Sequence, residues 1–70
     1  MKHAEFRVVQ VDRDDGTVLL QNLAMRGKFA NVWALTDDAV SVGMIVRGSF
    51  DIDPRDSLAL GRFPRFTVAP

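Results

Sequence analysis

The chain has 70 residues, 47% of them hydrophobic and 26% charged, and its nine basic and nine acidic side chains cancel. This length predicts one domain over residues 1–70. The neutral balance excludes the strongly basic composition of many nucleic-acid-binding proteins, although it allows a local basic stripe. Without cysteine there is no disulfide and no thiolate metal site, which favours a reducing, cytoplasmic environment. Polar residues 1–5 and the lack of an apolar run of roughly 20 residues predict neither a signal peptide nor a membrane span.

The first predicted element is a β-strand over residues 5–12, which is rich in valine. Its alternation is broken, because Phe6 and Val8 fall on one face and Val9 and Val11 on the other. One extra residue in a strand swaps its faces, so we expect a β-bulge near Val8 or Val9.

A hairpin turn is predicted next, at Asp15-Gly16, because both residues tolerate positive φ and lie between apolar runs. The return strand covers residues 17–23. The acidic residues before Gly16 have the composition of a calcium loop but not its spacing. Counted from Asp12, glycine is fifth instead of sixth and the twelfth residue is leucine instead of glutamate. We therefore expect no metal site and no cofactor.

The third segment, residues 28–35, follows a predicted turn at Arg26-Gly27, and residues 22–36 allow either a strand or a helix. The helix would align an apolar stripe at 3.6-residue spacing, with Gly27 costing about 1 kcal/mol relative to alanine in its first turns. We favour the strand. Both of its faces are then apolar: one carries Phe29, Asn31, Trp33 and Leu35, and the other carries Ala30, Val32 and Ala34.

A short helical turn over residues 37–41 is expected between strands three and four. The reason is that Thr36, Asp37 and Asp38 have the side chains that cap helices.

The fourth strand, residues 44–53, alternates clearly. Gly43 begins it, and Gly48 is placed at a corner where the strand bends to close the sheet, since glycine tolerates such a bend. One face carries Met44, Val46, Phe50 and Ile52, and the other carries Arg47, Ser49, Asp51 and Asp53. We expect Val46, Phe50 and Ile52 inside and Arg47, Ser49 and Asp51 outside.

Residues 53–61 also support two interpretations. Asp53 and Pro54 suit either a type I turn of a further hairpin, or the cap and first residue of a short helix that ends before Gly61. A last strand is predicted within residues 58–68. Pro64 lacks an amide hydrogen, so this strand should be an edge or bulged there.

Several short strands separated by turns predict an all-β fold, a small five-stranded antiparallel barrel. The feature order resembles the OB-fold barrel of S1-type RNA-binding domains over about residues 6–62. The matching segments are Gly16-Thr17-Val18-Leu19-Leu20, Gly27, Val40-Ser41-Val42-Gly43-Met44-Ile45-Val46, Phe50-Asp51-Ile52-Asp53 and Leu58-Ala59-Leu60. The resemblance implies an OB-like RNA-binding module closed by a strand at Leu58-Ala59-Leu60. S1-type domains carry aromatic residues on strand two and usually a histidine on strand three. Here both are missing, so Phe29 or Trp33 would have to take their place.

Basic and aromatic residues are interleaved in two segments, residues 26–29 with Trp33, and residues 62–66. Aromatic platforms beside cations are how OB-folds hold single-stranded nucleic acid. We therefore predict a binding module for RNA or single-stranded DNA, with Trp33 partly exposed. The predicted binding residues are Arg26, Lys28, Phe29, Trp33 and Arg47.

The alternative is a protein-interaction module, either self-associating or bound to another protein. Only one face of strand three can point into a small core, so either the small face or the face with Phe29 and Trp33 is left outside. An apolar stripe left exposed usually marks an interface, and the candidate is the small face, Ala30, Val32 and Ala34. We expect no enzyme, because no Ser–His–acid set and no glycine-rich phosphate loop can be assembled. Asp51 and Asp53 are interpreted as part of a solvated face instead of an acid–base pair.

Overall fold

The computed structural model describes residues 3–70 of the chain, without the side chain of Phe29. All strand pairs in this part are antiparallel and form one sheet of order β3-β2-β1-β4-β5 once its strands are numbered along the chain. The mostly β, five-stranded antiparallel fold expected from the sequence is confirmed. The strands are β1 (Ala4–Asp12), β2 (Thr17–Asn22), β3 (Asn31–Leu35), β4 (Ile45–Phe50) and β5 (Phe66–Val68), with a 3-10 helix at Lys28–Ala30 and the α-helix α1 at Pro54–Leu60.

A bulge in β1 resolves its broken alternation. The register with β2 shifts between Val8 and Gln10, which leaves Val9 as the extra residue. Phe6 and Val8 therefore point into the core, while Val9 points outward. The predicted bulge is confirmed.

The hairpin between β1 and β2 is confirmed, with a turn at residues 13–16. Only Gly16 has positive φ, at 70°, so Asp15 does not use the left-handed region that the sequence allowed it. The turn is held by the Asp12 carboxylate, which accepts hydrogen bonds from the main-chain N–H groups of Asp14 (3.1 Å) and Asp15 (3.3 Å). This local side-chain bonding is what makes aspartate common in turns.

The third segment is a strand only in its second half. Residues 28–30 form the 3-10 helix, in which the Ala30 N–H donates to the Gly27 carbonyl at 3.1 Å. The strand prediction is thus confirmed for Asn31–Leu35 and wrong for residues 28–30. Ala34 is buried and Trp33 is partly exposed, so the alanine face of the segment is the one that packs inside.

The helical turn expected over residues 37–41 is wrong, because that segment contains no helix. The capping side chains bond elsewhere. The Thr36 hydroxyl accepts from the Asp38 N–H at 3.1 Å, and the Asp38 carboxylate accepts from the Val68 N–H in β5 at 2.8 Å. Val40, which follows, is buried in the core. These tertiary contacts hold the segment in a non-helical conformation.

The core is built around three phenylalanines. Phe6 lies 5.3 Å from both Phe50 and Phe66 between ring centroids, and Phe50 lies 5.4 Å from Phe66, in edge-on or tilted arrangements that aromatic pairs favour. Val46 and Phe50 face inward and Arg47 faces outward, as predicted for this strand. β4 is shorter than predicted, and Ile52 lies beyond its end.

Of the two interpretations of residues 53–61, the helix is confirmed. Asp53 caps α1 by accepting from the Arg55 N–H at 2.8 Å, and Pro54 is its first residue. Gly61, at φ 70°, ends it in the left-handed conformation that glycine adopts without a Cβ clash. Leu58-Ala59-Leu60 therefore belongs to a helix, and the closing strand implied there by the S1 resemblance is wrong. Leu58 is 86% exposed.

The two outer strands of the sheet approach each other at one point. Leu35 at the end of β3 forms a parallel bridge with Arg65, just before β5, and the Leu35 N–H donates to the Pro64 carbonyl at 2.9 Å. The sheet is not closed into a barrel by a continuous ladder. β5 is limited to Phe66–Val68, so the last strand is much shorter than predicted, and Pro64 lies outside it.

Candidate ligand-binding groove

A groove of about 540 Å³ lies between β3 and the α1 region. One wall comes from the 3-10 helix and β3, and the other from α1 and the loop that follows it. Its lining residues are Lys28, Asn31, Val32, Trp33, Pro54, Arg55, Ser57, Leu58, Gly61, Arg62 and Phe63. Near the bridge at Leu35 the two walls meet, so the groove occupies the region where β3 and β5 do not pair.

Two aromatic side chains lie partly exposed in this groove. Trp33 is 37% exposed, because the alternation of β3 turns it outward while Ala34 points into the core. Phe63 is 47% exposed and lies in the loop after α1. That loop is anchored on both sides, by the Arg62 N–H donating to the Ser57 carbonyl (3.2 Å) and by buried Pro64. The groove therefore presents aromatic surface from two fixed elements.

Three cationic side chains line the same groove: Lys28, Arg55 and Arg62. Arg55 pairs with Asp53 at 3.1 Å and Arg62 pairs with Asp51 at 3.2 Å. Both pairs are solvent-exposed, and exposed ion pairs contribute little to stability. An incoming anion can therefore compete for these guanidinium groups at little energetic cost.

The carboxylates of Asp51 and Asp53 hold the groove's second wall in place. Asp51 accepts from the Arg65 N–H at 2.8 Å and from Arg62, and these two hydrogen bonds, the main-chain one foremost, lower its pKa. The side-chain hydrogen bond from Arg55, followed by that from the Arg55 N–H, lowers the pKa of Asp53. Lowered pKa values keep both groups ionised near neutral pH, which does not suit a general acid.

The structure brings only part of the predicted binding set together. Lys28 and Trp33 line the groove, whereas Arg26 does not line it and Arg47 lies on β4, three strands away from β3 in the sheet. The side chain of Phe29 lies outside the described part of the structure.

The structure places the predicted interface, the small face of strand three, mostly inside the protein. Ala30 and Ala34 are buried and Val32 is half-buried, because this face packs against the core. The sequence allowed either face to be outside. The larger residues Phe6, Phe50 and Phe66 fill the core from other strands and leave room only for small side chains from β3.

Sequence reasoning missed Pro54, Arg55 and Leu58 as groove residues. The helical interpretation of residues 53–61 contained a signal for Leu58. A helix this short buries few side chains, so an apolar residue on it can remain exposed. Phe63 and Arg62 were noticed as a basic–aromatic segment but could not be linked to Trp33, which is 30 positions away in the sequence.

A second cavity, of about 680 Å³, lies beside the carboxyl ends of β2 and β4, with Phe6 and Phe50 in its lining. Both rings are almost fully buried, so this cavity offers little aromatic surface to a ligand. Within residues 3–70, no group of three or more histidine or acidic side chains is arranged to hold a metal ion. No helix in the same range is long and apolar enough to cross a membrane.

Comparison of the chain with protein-family models, with curated proteins and with solved structures found no match.

Proposed function

We propose that the protein is a non-catalytic binding module that holds single-stranded RNA or DNA in the groove between β3 and α1. The observation that supports this most is the presence of Trp33 and Phe63 in one groove with Lys28, Arg55 and Arg62. Stacking of a base on an aromatic side chain contributes about 1–3 kcal/mol, and nearby cations attract the phosphates.

The proposal includes an OB-type barrel. Its support is the strand order β3-β2-β1-β4-β5 together with the parallel bridge at Leu35 and Arg65, which brings the two ends of that order together. In OB-folds the ligand lies over strands two and three and is flanked by the loops before strand two and before strand five. Two of these elements support the proposal, since β3 forms one wall of the groove and the β4–β5 connection forms the other; β2 and the turn before it do not line the groove.

Phosphate binding here would work by exchange. A phosphate oxygen replaces the carboxylate of Asp53 or Asp51 as partner of Arg55 or Arg62, while Lys28 contacts the strand at the other wall. With three cations engaged, the logarithm of the affinity should fall with the logarithm of salt concentration at a slope of about −2.

The test is a titration with a mixed-sequence single-stranded oligonucleotide, followed by the fluorescence of Trp33, the only tryptophan. We expect quenching on binding and the salt dependence given above. Trp33→Ala, followed by anisotropy of a labelled oligonucleotide, should weaken binding about fivefold or more. Arg55→Ala should weaken it as well, whereas Arg47→Ala, which removes the same charge outside the groove, should not. Absence of binding at low salt overturns the proposal.

One observation favours a second candidate, an extended peptide in the same groove. The Leu35 N–H points away from β2, towards Pro64, and alternate residues of a strand point their main-chain groups to the same side. The main-chain groups of Asn31 and Trp33 therefore point towards the groove, where a peptide strand could pair with them. Peptide binding of this kind would persist at high salt, which separates it from nucleic-acid binding.

A further inference from the structure

A second exposed apolar surface lies at the β1 bulge, beside the amino end of β4. It consists of four side chains that are between 41% and 65% exposed: Val9, Val42, Met44 and Ile45. The main chains that carry them are joined at the bulge, since the Val8 N–H donates to the Met44 carbonyl (2.9 Å) and the Gly43 N–H to the Val8 carbonyl (2.8 Å). We call these four residues the β1–β4 patch.

The charges beside this patch are separated by sign. Arg7, paired in register with Ile45, lies two residues before Val9, or about 7 Å along the strand. On the other side Asp12 lies three residues after Val9, or about 10 Å, and begins the turn that carries Asp14 and Asp15. Arg47 adds to the basic end. Glu5, opposite Arg47, lowers the positive charge of the basic end, and Arg13 lowers the negative charge of the turn. Neither residue changes the sign of the charge at its end.

In the described part of the chain, these charged groups have no ionic partner. The ion pairs among residues 3–70 join Arg55 to Asp53, Arg62 to Asp51 and Arg65 to Asp37. Arg7, Arg47, Asp14 and Asp15 are in none of them and are exposed. Two oppositely charged ends at similar distances from an apolar centre form a self-complementary surface, as a two-fold symmetric interface requires.

We infer that two copies of the chain associate through the β1–β4 patch, about a two-fold axis near Val9. The basic end of each copy, Arg7 and Arg47, then faces the acidic turn of the other copy, Asp14 and Asp15. The chain carries no net charge, so no overall repulsion opposes the contact. This inference uses none of the groove residues and does not depend on the proposed nucleic-acid function.

The expected dimer is salt-sensitive. A stable interface buries about 800 Å² on each partner, roughly a sixth of the 4959 Å² surface of this chain. Four partly exposed side chains supply only part of that area, so the charged ends belong to the interface as well. Their attraction across it is weakened by salt.

The test is sedimentation of the chain at rising concentration, with a pair of charge-reversed variants. The unaltered chain should approach twice its monomer mass of 7.8 kDa. Arg7→Glu with Arg47→Glu should remain monomeric, and so should Asp14→Lys with Asp15→Lys, because like charges then face each other. A mixture of the two variants should form a heterodimer, since both contacts become attractive again. Arg26→Glu, a charge reversal outside the patch, should dimerise like the unaltered chain.

Circular dichroism shows whether each variant is folded. If a charge variant is not, Val42→Glu replaces it, since this most exposed residue of the patch lies outside the strands. Val42→Glu should also abolish dimerisation. The inference is overturned if the unaltered chain stays at 7.8 kDa up to about 1 mM, a concentration at which even weak complexes form. It is also overturned if the mixture stays monomeric or if Val42→Glu dimerises normally.

Discussion

At the scale of single residues, Gly48 shows why a regular strand contains a glycine. The sequence suggested a bend, but its φ is not in the left-handed region and it lies within β4, paired with Ala4 on one side and Val68 on the other. The structure shows that neighbouring atoms approach the Cα of Gly48 closely. A Cβ at this position would lie 2.5 Å from Cζ of Phe66 and would also meet the main-chain oxygen of Thr67. Sequence alone cannot show this, because Phe66 is 18 positions away.

Gly48→Ala should therefore destabilise the fold by about 1–3 kcal/mol, the usual cost of adding a methyl group to a filled site. Chemical denaturation measures the change. Ser49→Ala, at the next residue and half-buried, is the control and should change stability by less than about 0.5 kcal/mol. Equal stability of Gly48→Ala and the unaltered chain would show that Phe66 does not pack on this glycine.

Phe50 and Phe63 allow a matched comparison of core and groove. Phe50 is 9% exposed and contacts two other rings, so Phe50→Ala should cost about 3–5 kcal/mol and could unfold so small a domain. Phe63→Ala removes the same side chain from a half-exposed site and should cost less than about 1 kcal/mol. Denaturation curves of both variants test this, and similar losses would mean that the core assignment is wrong.

At the scale of elements, a secondary-structure prediction agreed with the structure where the contacts that form the element lie close together in the sequence. The β1 bulge and the hairpin at Gly16 were predicted, and helix α1 was one of two open interpretations, because alternation, turn residues and caps lie within a few positions of each other. Residues 37–41 were not. Thr36 and Asp38 have the side chains of helix caps, but the partner of Asp38 is the N–H of Val68, 30 positions away.

The carboxylates that anchor helix α1 and the loop after it should make the free energy of unfolding depend on pH in the acidic range. Asp51 and Asp53 have pKa values below the ordinary 3.8, so both bind protons more weakly in the folded than in the unfolded chain. Their contribution to stability is complete above about pH 4 and is lost as pH falls through the lowered pKa values. Denaturation midpoints at about pH 6 and about pH 3 measure the loss. Asp51→Asn with Asp53→Asn should be less stable at the higher pH and should lose less stability on acidification. An unchanged dependence on pH would contradict the role of these carboxylates.

At the scale of the whole molecule, strand number and pairing direction follow from the sequence, but the groove does not. It exists because residues of α1 and the loop after it face β3 across an open space, and only the tertiary arrangement places residues 54–63 beside Trp33. The sequence could select Lys28 and Trp33 from their local pattern, and both line the groove. It could not exclude Arg26 and Arg47, because the sheet order alone separates Arg47 from the groove.

The central claim, that single-stranded nucleic acid binds in the groove between β3 and α1, is tested most directly by a two-dimensional ¹H–¹⁵N NMR titration. Oligonucleotide is added to the ¹⁵N-labelled chain at low salt, and the shifted signals are placed on the structure. The account predicts shifts at the indole N–H of Trp33 and at the main-chain amides of Lys28, Arg55, Arg62 and Phe63, with little change around Val42 and Arg47. Shifts confined to the β1–β4 patch, or no shifts at all, would contradict it.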